Sequence, residues 1–131
     1  MNEESRALAK AWMAKAQADL AVARLLIHGG EPHRDAGVYH SQQAAEKAIK
    51  ALLTLHQTPF PKTHALRALL DLALPVDPGL FVLVGDCIYL TPFATQFRYP
   101  GDVIEPDVGE AMEALQAAQR IVDALKQLLD I

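Results

Sequence analysis

The sequence predicts an all-α fold, an antiparallel bundle of four principal helices plus one short helix. Apolar residues recur at steps of three and four in several long segments, while proline and glycine pairs interrupt the chain between them. A chain of 131 residues, 51% of them hydrophobic, is long enough to form one domain over 1–131 with a buried core that needs no disulfide or metal ion to stabilise it. The single cysteine, Cys87, excludes an intrachain disulfide and a thiolate metal cluster.

Two long helices are predicted in the first half of the chain. The first spans about 5–28 and ends at Gly29-Gly30, and its apolar stripe comprises Leu8, Trp12, Ala16, Leu20, Ala23 and Ile27. The second spans about 35–57, with Gly37 weakening its first turn, and ends before Pro59 and Pro61. Helices of about 23 residues would be about 35 Å long and would pack antiparallel across a short connection.

The second half predicts three further helical segments. Thr63 is a candidate cap for a short third helix that ends before Pro75. Asp77-Pro78 starts the next helix. Its apolar run over 80–90 also suits a buried strand, but a lone strand would have no partner, so we expect a helix instead. This helix should kink or restart before Phe93 and end near 98–101. Asp107 and Glu110 form a capping box that starts the last helix.

Charge restricts the classes of partner. The net charge of −4 argues against wrapping nucleic acid through its phosphates. Residues 1–66 carry eight basic and six acidic side chains, and residues 67–131 carry four and ten, so an anion or nucleotide site should draw on the first half. The first residues are acidic and no apolar run reaches the length of a membrane span. We therefore expect a cytoplasmic protein with no membrane partner.

Two groups of polar residues are candidates for a ligand site. Along the second helix, Tyr39, Gln43, Glu46 and Lys50 share one face. This seam is either a solvated face supported by a Glu46 to Lys50 pair or a polar groove that receives a ligand. Arg98-Tyr99-Pro100-Gly101 is either a helix C-terminal cap or a guanidinium and a ring positioned for phosphate and base recognition.

Familiar catalytic and metal motifs are absent from the sequence. The Glu-x-x-His motif of di-iron bundles is absent, and no two histidines lie four residues apart on a helix, so no metal site is indicated. The sequence also contains neither the Gly-x-Ser-x-Gly motif of serine hydrolases nor a phosphate-binding glycine loop. We therefore predict no metal and no cofactor. Arg34 and His40 could act together on a phosphate as electrostatic stabiliser and proton carrier. On one helix they would lie about 120° and about 9 Å apart, so Arg34 would have to fold back from a loop.

The chain resembles the HEPN family of helical domains over nearly its whole length. The resemblance rests on four segments: Trp12 with Asp19-Leu20 and Ala23 in the first helix, the run from Tyr39 to Leu53 that contains Gln42-Gln43-Ala44-Ala45-Glu46-Lys47-Ala48, Thr63-His64-Ala65-Leu66 with Leu69-Leu70, and Arg98-Tyr99-Pro100-Gly101. The glutamine-rich run combined with the later Arg-Tyr-Pro is a specific signature.

The resemblance implies a homodimeric helical bundle that binds a nucleotide and partners a minimal nucleotidyltransferase in a toxin-antitoxin-like pair. From the polar seam and the Arg98-Tyr99 segment, the candidate ligand-binding residues are Tyr39, Gln43, Glu46, Lys47, Lys50, Arg98 and Tyr99. Many HEPN toxins are metal-independent ribonucleases with four to six residues between an Arg and a His near the start of a late helix. Here Val103, Ile104 and Glu105 follow Arg98 at those distances, and the matching pair is Arg34 and His40. A ribonuclease toxin using that pair and a purely structural dimerisation bundle are the alternative hypotheses.

Overall fold

The computed structural model describes residues 1–97, 100–101 and 105–130. Its five α-helices are α1 (Glu3–His28), α2 (Arg34–Leu55), α3 (Leu66–Ala73), α4 (Val84–Leu90) and α5 (Val108–Leu129), and 3-10 segments occupy Pro78–Leu83 and Thr91–Ala94. No strand occurs among these residues, and the predicted all-α bundle is confirmed. In this described part of the chain, no helix has the length and apolarity needed to cross a bilayer.

Helices α1 and α2 form an antiparallel pair, as the short connection between them predicts. The end of α1 meets the start of α2, where an ideal Cβ built on Gly37 would lie 2.4 Å from Ile27 Cγ1. Nearer the start of α1, the Trp12 ring lies 5.5 Å from Lys50 Nζ, close to the end of α2. Gly37 is thus required by the close helix crossing, which offsets the helix propensity it lacks.

Helix α2 lies at the centre of the core and contacts each of the other four helices. Its fully buried side chains pack with those of α3 and α5; among the largest are Ile49, Leu52, Leu53, Leu69, Leu70, Ile121 and Leu125. Arg24 Nη2 donates to Gln119 Oε1, and Lys10 shares a groove with Lys126, so α5 runs antiparallel to α1. Helix α5 therefore runs parallel to α2, because a long connection returns the chain to the same end of the bundle.

Three helix starts carry the caps that their sequences encode. Asn2 and Ser5 form a capping box at α1, and Asp107 and Glu110 form the predicted box at α5. Asp77 Oδ1 accepts from the Gly79 amide at the 3-10 segment that Pro78 opens. These caps satisfy amides that a helix start leaves without internal partners.

The predicted cap of α3 is wrong. Thr63 Oγ1 accepts from the Ala65 amide, one residue before the helix begins. The first amide of the helix, that of Leu66, donates instead to Thr91 Oγ1, and the Thr91 hydroxyl donates to the Cys87 carbonyl. A side chain from the end of α4 thus caps α3, and its contribution depends on tertiary packing that the local sequence does not encode.

The fourth predicted helix consists of three short pieces, and the second of the two predicted alternatives, a restart before Phe93, is the one observed, because a 3-10 segment begins at Thr91. The chain is 3-10 from Pro78, α-helical over the seven residues of α4, and 3-10 again from Thr91 to Ala94. Pro92 has no amide to continue α4, which explains the break at that point. The helical structure ends at Ala94, earlier than the predicted 98–101.

Candidate functional site

The polar seam of α2 is a buried network and not a solvated face. Glu46 is 4% exposed. Its Oε1 accepts from Gln42 Nε2 at 3.1 Å and faces His64 Nδ1 at 2.9 Å, while its Oε2 accepts from Lys50 Nζ at 3.0 Å. Gln43 Nε2 donates to Gln42 Oε1 at 2.7 Å and extends the network.

The Glu46 carboxylate is kept ionised by this network. Burial alone would raise its pKa, but hydrogen bonds from His64, Lys50 and Gln42, with the Lys50 charge, together hold the pKa below its ordinary value. A buried carboxylate with several donors is typical of a satisfied structural charge. The carboxylate therefore acts here as the acceptor that holds three other groups in place.

Lys50 is similarly occupied. Its side chain is 13% exposed, and its Nζ lies 5.5 Å from the Trp12 ring centre and 5.6 Å from that of Phe60. These cation–π contacts and the bond to Glu46 join α1, α2 and the loop before α3. Glu46 and Lys50 thus form the pair that their spacing predicts, and Gln43 is linked to them through Gln42, but all of these groups bind protein atoms.

A second cluster joins α1 to α2. Asp19 Oδ1 faces His40 Nδ1 at 2.9 Å, and Asp19 Oδ2 accepts from Lys47 Nζ at 2.6 Å. The His40 side chain is 31% exposed. With Nδ1 directed at a carboxylate, its Nε2 is the nitrogen left to exchange a proton. The sequence alone did not identify Asp19 as the partner of these residues. Its position next to buried Leu20, at the edge of the apolar face of α1, could have indicated that it faces α2.

Arg34 and His40 are not brought together. Arg34 is the first residue of α2, its Nε donates to the Pro106 carbonyl at 2.9 Å, and its Nη2 donates to Glu31 Oε1 at 2.7 Å. The two residues share no hydrogen-bond partner. His40 faces Asp19, whereas the bond from Arg34 to the Pro106 carbonyl connects the start of α2 to the segment before α5. The folding back that a joint role required is absent.

Tyr39 lines a pocket of about 220 Å³ at the start of α2, together with Asp35, Ala36 and Phe97. The Phe97 ring stacks on the buried Phe93 ring with centres 6.1 Å apart. Tyr39 also has an edge contact with the His40 ring at 5.3 Å. Two aromatic residues and one acidic residue therefore line an open pocket. Its volume is below the range of about 300–1,000 Å³ that is usual for drug-sized ligands, and it suits one planar ring system.

The remaining two candidate residues, Arg98 and Tyr99, lie outside the described residues. The residue before them, Phe97, has a φ of 69°, in the left-handed region that a bulky side chain rarely adopts. Such a backbone costs about 1–3 kcal/mol and occurs where surrounding structure holds it, often at ligand sites. Sequence reasoning missed Phe97 because no glycine or turn motif marks the position.

Three other grooves on the surface differ from the Tyr39 pocket in the residues that line them. Grooves of about 340 and 440 Å³ lie along α1 and share Lys10 and Asp130, and another of about 380 Å³ lies between the start of α1 and Phe60. The two grooves along α1 mix aliphatic, acidic and basic residues, and the third contains Phe60 as its one aromatic residue. Within the described residues, no three His, Cys, Asp or Glu side chains are grouped to hold a metal ion.

Comparisons with known proteins agree with this architecture. Residues 9–128 match the sequence profile of the HEPN domain. ST0689, described as an archaeal HEPN homologue, is 26% identical with a TM-score of 0.73, covering 93% of this chain and 98% of its own. TT1696 from Thermus thermophilus is 28% identical with a TM-score of 0.74, covering 92% and 97%. A comparison with curated proteins gives no match. The chain belongs to the HEPN domain family.

Proposed function

We propose that this HEPN protein is a cytoplasmic, homodimeric, nucleotide-binding partner of a minimal nucleotidyltransferase in a toxin-antitoxin-like pair. The observation that carries the nucleotide-binding part is the pocket between Tyr39 and Phe97, with Asp35 on its wall. In the sequence, Arg98 and Tyr99 follow Phe97 directly. Family membership supports the partnership.

The chemistry of the pocket suits a nucleotide's base and sugar. Aromatic faces stack on nucleobases with little dependence on base identity, at about 1–3 kcal/mol per base. The Asp35 carboxylate accepts hydrogen bonds, so it suits an exocyclic amine or ribose hydroxyls and disfavours a phosphate. We assign phosphate recognition to the Arg98 guanidinium, which is chemically suited to two-point contact with phosphate oxygens.

Titration calorimetry with ATP, ADP and adenosine tests this proposal. We expect binding by the wild-type protein and an affinity at least about fivefold weaker for Tyr39→Ala, because a lost stacking contact of about 1–3 kcal/mol corresponds to about a 5- to 150-fold change. Phe60→Ala is the matched control, since it removes a half-buried ring from a different groove. Its affinity should stay within about twofold of wild type.

The same titration should be repeated with the nucleotidyltransferase encoded beside this gene. No heat with any of the nucleotides and no complex with that enzyme, at high micromolar concentration, would contradict the proposal. That result would leave the structural dimerisation bundle as the better description. Equal affinities for Tyr39→Ala and wild type would place the nucleotide elsewhere on the protein.

A second candidate function is a metal-independent ribonuclease toxin that uses His40. The favouring observation is the hydrogen bond between His40 Nδ1 and Asp19, which orients the ring so that Nε2 can act as a proton acceptor. Arg34, its partner in the sequence-based hypothesis, is occupied by Glu31 and Pro106. The cation beside His40 is Lys47, on the same Asp19 carboxylate.

Expression in bacteria separates the two functions. A ribonuclease would slow growth and degrade RNA in the wild-type strain, and His40→Ala and Asp19→Asn would relieve both effects. His56→Ala is the control, because it removes a half-buried histidine outside the cluster. Intact RNA and equal growth across wild type and all variants would remove the ribonuclease candidate.

A further inference from the structure

The Tyr39 pocket contains one charged residue in its lining. The lining residues in the described part of the chain are Asp35, Ala36, Tyr39 and Phe97, so two aromatic residues occur with one carboxylate and with no amide or basic side chain. Aromatic rings stack on every nucleobase with little selectivity. The choice among bases in this pocket therefore depends on the Asp35 carboxylate.

This carboxylate has acceptor positions to offer a ligand. Asp35 is partly buried in the first turn of α2, where its Oδ1 accepts from the Ala36 amide at 2.7 Å. A carboxylate has about four acceptor positions, and no ion pair within the described ranges involves Asp35. The adjacent Arg34 does not neutralise it, because that guanidinium donates to the Pro106 carbonyl and to Glu31. An acidic residue in a first turn also stabilises the helix dipole, which explains the charge but not the two rings beside it.

The common bases differ in what they present to a carboxylate. Guanine has two adjacent donors, the N1–H and the N2 amine, which match the two carboxylate oxygens. In adenine the N6 amine lies between the acceptors N1 and N7, in cytosine the amine lies beside the acceptor N3, and in uracil the N3–H lies between two carbonyls. A carboxylate can only accept, so an acceptor set against it is repelled and left unpaired. Guanine is the common base that avoids this conflict.

We propose that the Tyr39 pocket prefers guanine nucleotides, with Asp35 accepting from guanine N1–H and the N2 amine while Tyr39 and Phe97 contact the base. The inference rests on the nucleotide site of the proposed function and names the class of base that this site takes. Two-point hydrogen bonds to an ionised group are among the stronger ones in proteins. A good two-point contact to a base contributes about a 5- to 150-fold preference over the wrong base.

Titration calorimetry with GDP, ADP and inosine diphosphate compares three bases that carry the same sugar and phosphates. The wild-type protein should bind GDP at least about fivefold more tightly than ADP. Inosine diphosphate should fall between them, because hypoxanthine keeps the N1–H of guanine but lacks its amine. This comparison uses the wild-type protein alone, so it decides the proposal even where a substitution impairs folding.

Asp35→Asn tests the assigned residue. Its side-chain oxygen can still accept from the Ala36 amide, so the start of α2 should be retained, which circular dichroism checks. An amide presents one acceptor and one donor, which match the N1–H and the C2 carbonyl of xanthine. The preference for GDP over ADP should fall below about twofold, and xanthosine diphosphate should bind more tightly than GDP. A residue that only stabilises the helix start would not redirect base preference in this way.

Asp71→Asn is the matched control, because it removes the same charge from a half-exposed ion pair on α3. It should keep the wild-type preference for GDP. Wild-type protein that binds ADP as tightly as GDP, or Asp35→Asn protein that keeps the wild-type preference, would overturn the guanine assignment. The nucleotide site itself would stand in that case if Tyr39→Ala still weakened binding. No binding of any of these nucleotides would overturn the proposed nucleotide site and the guanine assignment together.

Discussion

Replacing Glu46 by alanine should destabilise the protein by about 3 kcal/mol. The substitution removes the acceptor of Gln42 and His64 and leaves the Lys50 ammonium, on a side chain 13% exposed, without its counter-ion. Removing one partner of a buried ion pair costs about 3–5 kcal/mol. The exposed His64 contributes about 1 kcal/mol or less, and Lys50 keeps its contacts with two rings, which places the expected cost at the lower end of that range.

Urea unfolding measures this loss directly. Trp12 is the single tryptophan and its ring lies against Lys50, so its fluorescence reports on the network itself, while far-ultraviolet circular dichroism reports on the helices. Coincident transitions would justify a two-state free energy. Glu46→Gln should lose somewhat less than Glu46→Ala, because the amide oxygen can still accept from His64 but carries no charge for Lys50.

The matched control is Asp71→Ala. Arg67 and Asp71 form an ion pair with the same four-residue spacing at 2.9 Å, but both side chains are about half exposed. Its loss should therefore cost about 0.5 kcal/mol or less. A Glu46→Ala cost within about 1 kcal/mol of this control would refute the structural role of the network. Unchanged stability with lost nucleotide binding would instead make the seam the ligand site.

Three further predictions follow from the packing and the titrating groups. Gly37→Ala should destabilise by about 1–3 kcal/mol in the same urea assay, since the new Cβ meets Ile27 at 2.4 Å; a neutral effect would show that the helix crossing yields easily. The folded state lowers the pKa of Glu46, so the ionised carboxylate stabilises the fold fully at pH values above its ordinary pKa of 4.5. This stabilisation is lost as the pH falls through the lower pKa of the folded state. The wild-type protein should therefore lose more free energy of unfolding than Glu46→Gln on acidification. Equal slopes in denaturation at stepped pH would count against this. Burial raises the pKa of the Cys87 thiol to about 12, so alkylation at about pH 8 should require unfolding, and rapid labelling of native protein would contradict that environment.

The helical architecture could be predicted because it depends on local patterns. The apolar periods of α1 and α5, the prolines after α2 and the capping box at Asp107 each act within a few residues. The cap of α3 could not be predicted in the same way, because its acceptor, Thr91, lies 25 residues from Leu66. Three of the four seam residues, Gln43, Glu46 and Lys50, lie in one network as their spacing suggested, whereas Tyr39 lines a separate pocket. The burial of the network depends on the loop that carries Phe60 and His64.

The candidate site was predicted in part for the same reason. Tyr39 was identified from its helix face, and it lines the pocket, whereas Phe97, in the lining of the same pocket, is placed by an unusual backbone conformation and by stacking on Phe93. Asp19 lies 21 residues from His40 and 28 from Lys47. Contacts at such separations follow from the antiparallel packing of α1 on α2, and a motif search along the chain cannot find them.

The most direct test of the account is to map the ATP-binding surface by amide chemical-shift perturbation in solution. We predict that the largest changes occur over 35–39 and at Phe97, with the Glu46 network undisturbed. Changes confined to the groove shared by Lys10 and Lys126, or centred on Glu46 and Lys50, would contradict the assignment of the nucleotide to the Tyr39 pocket.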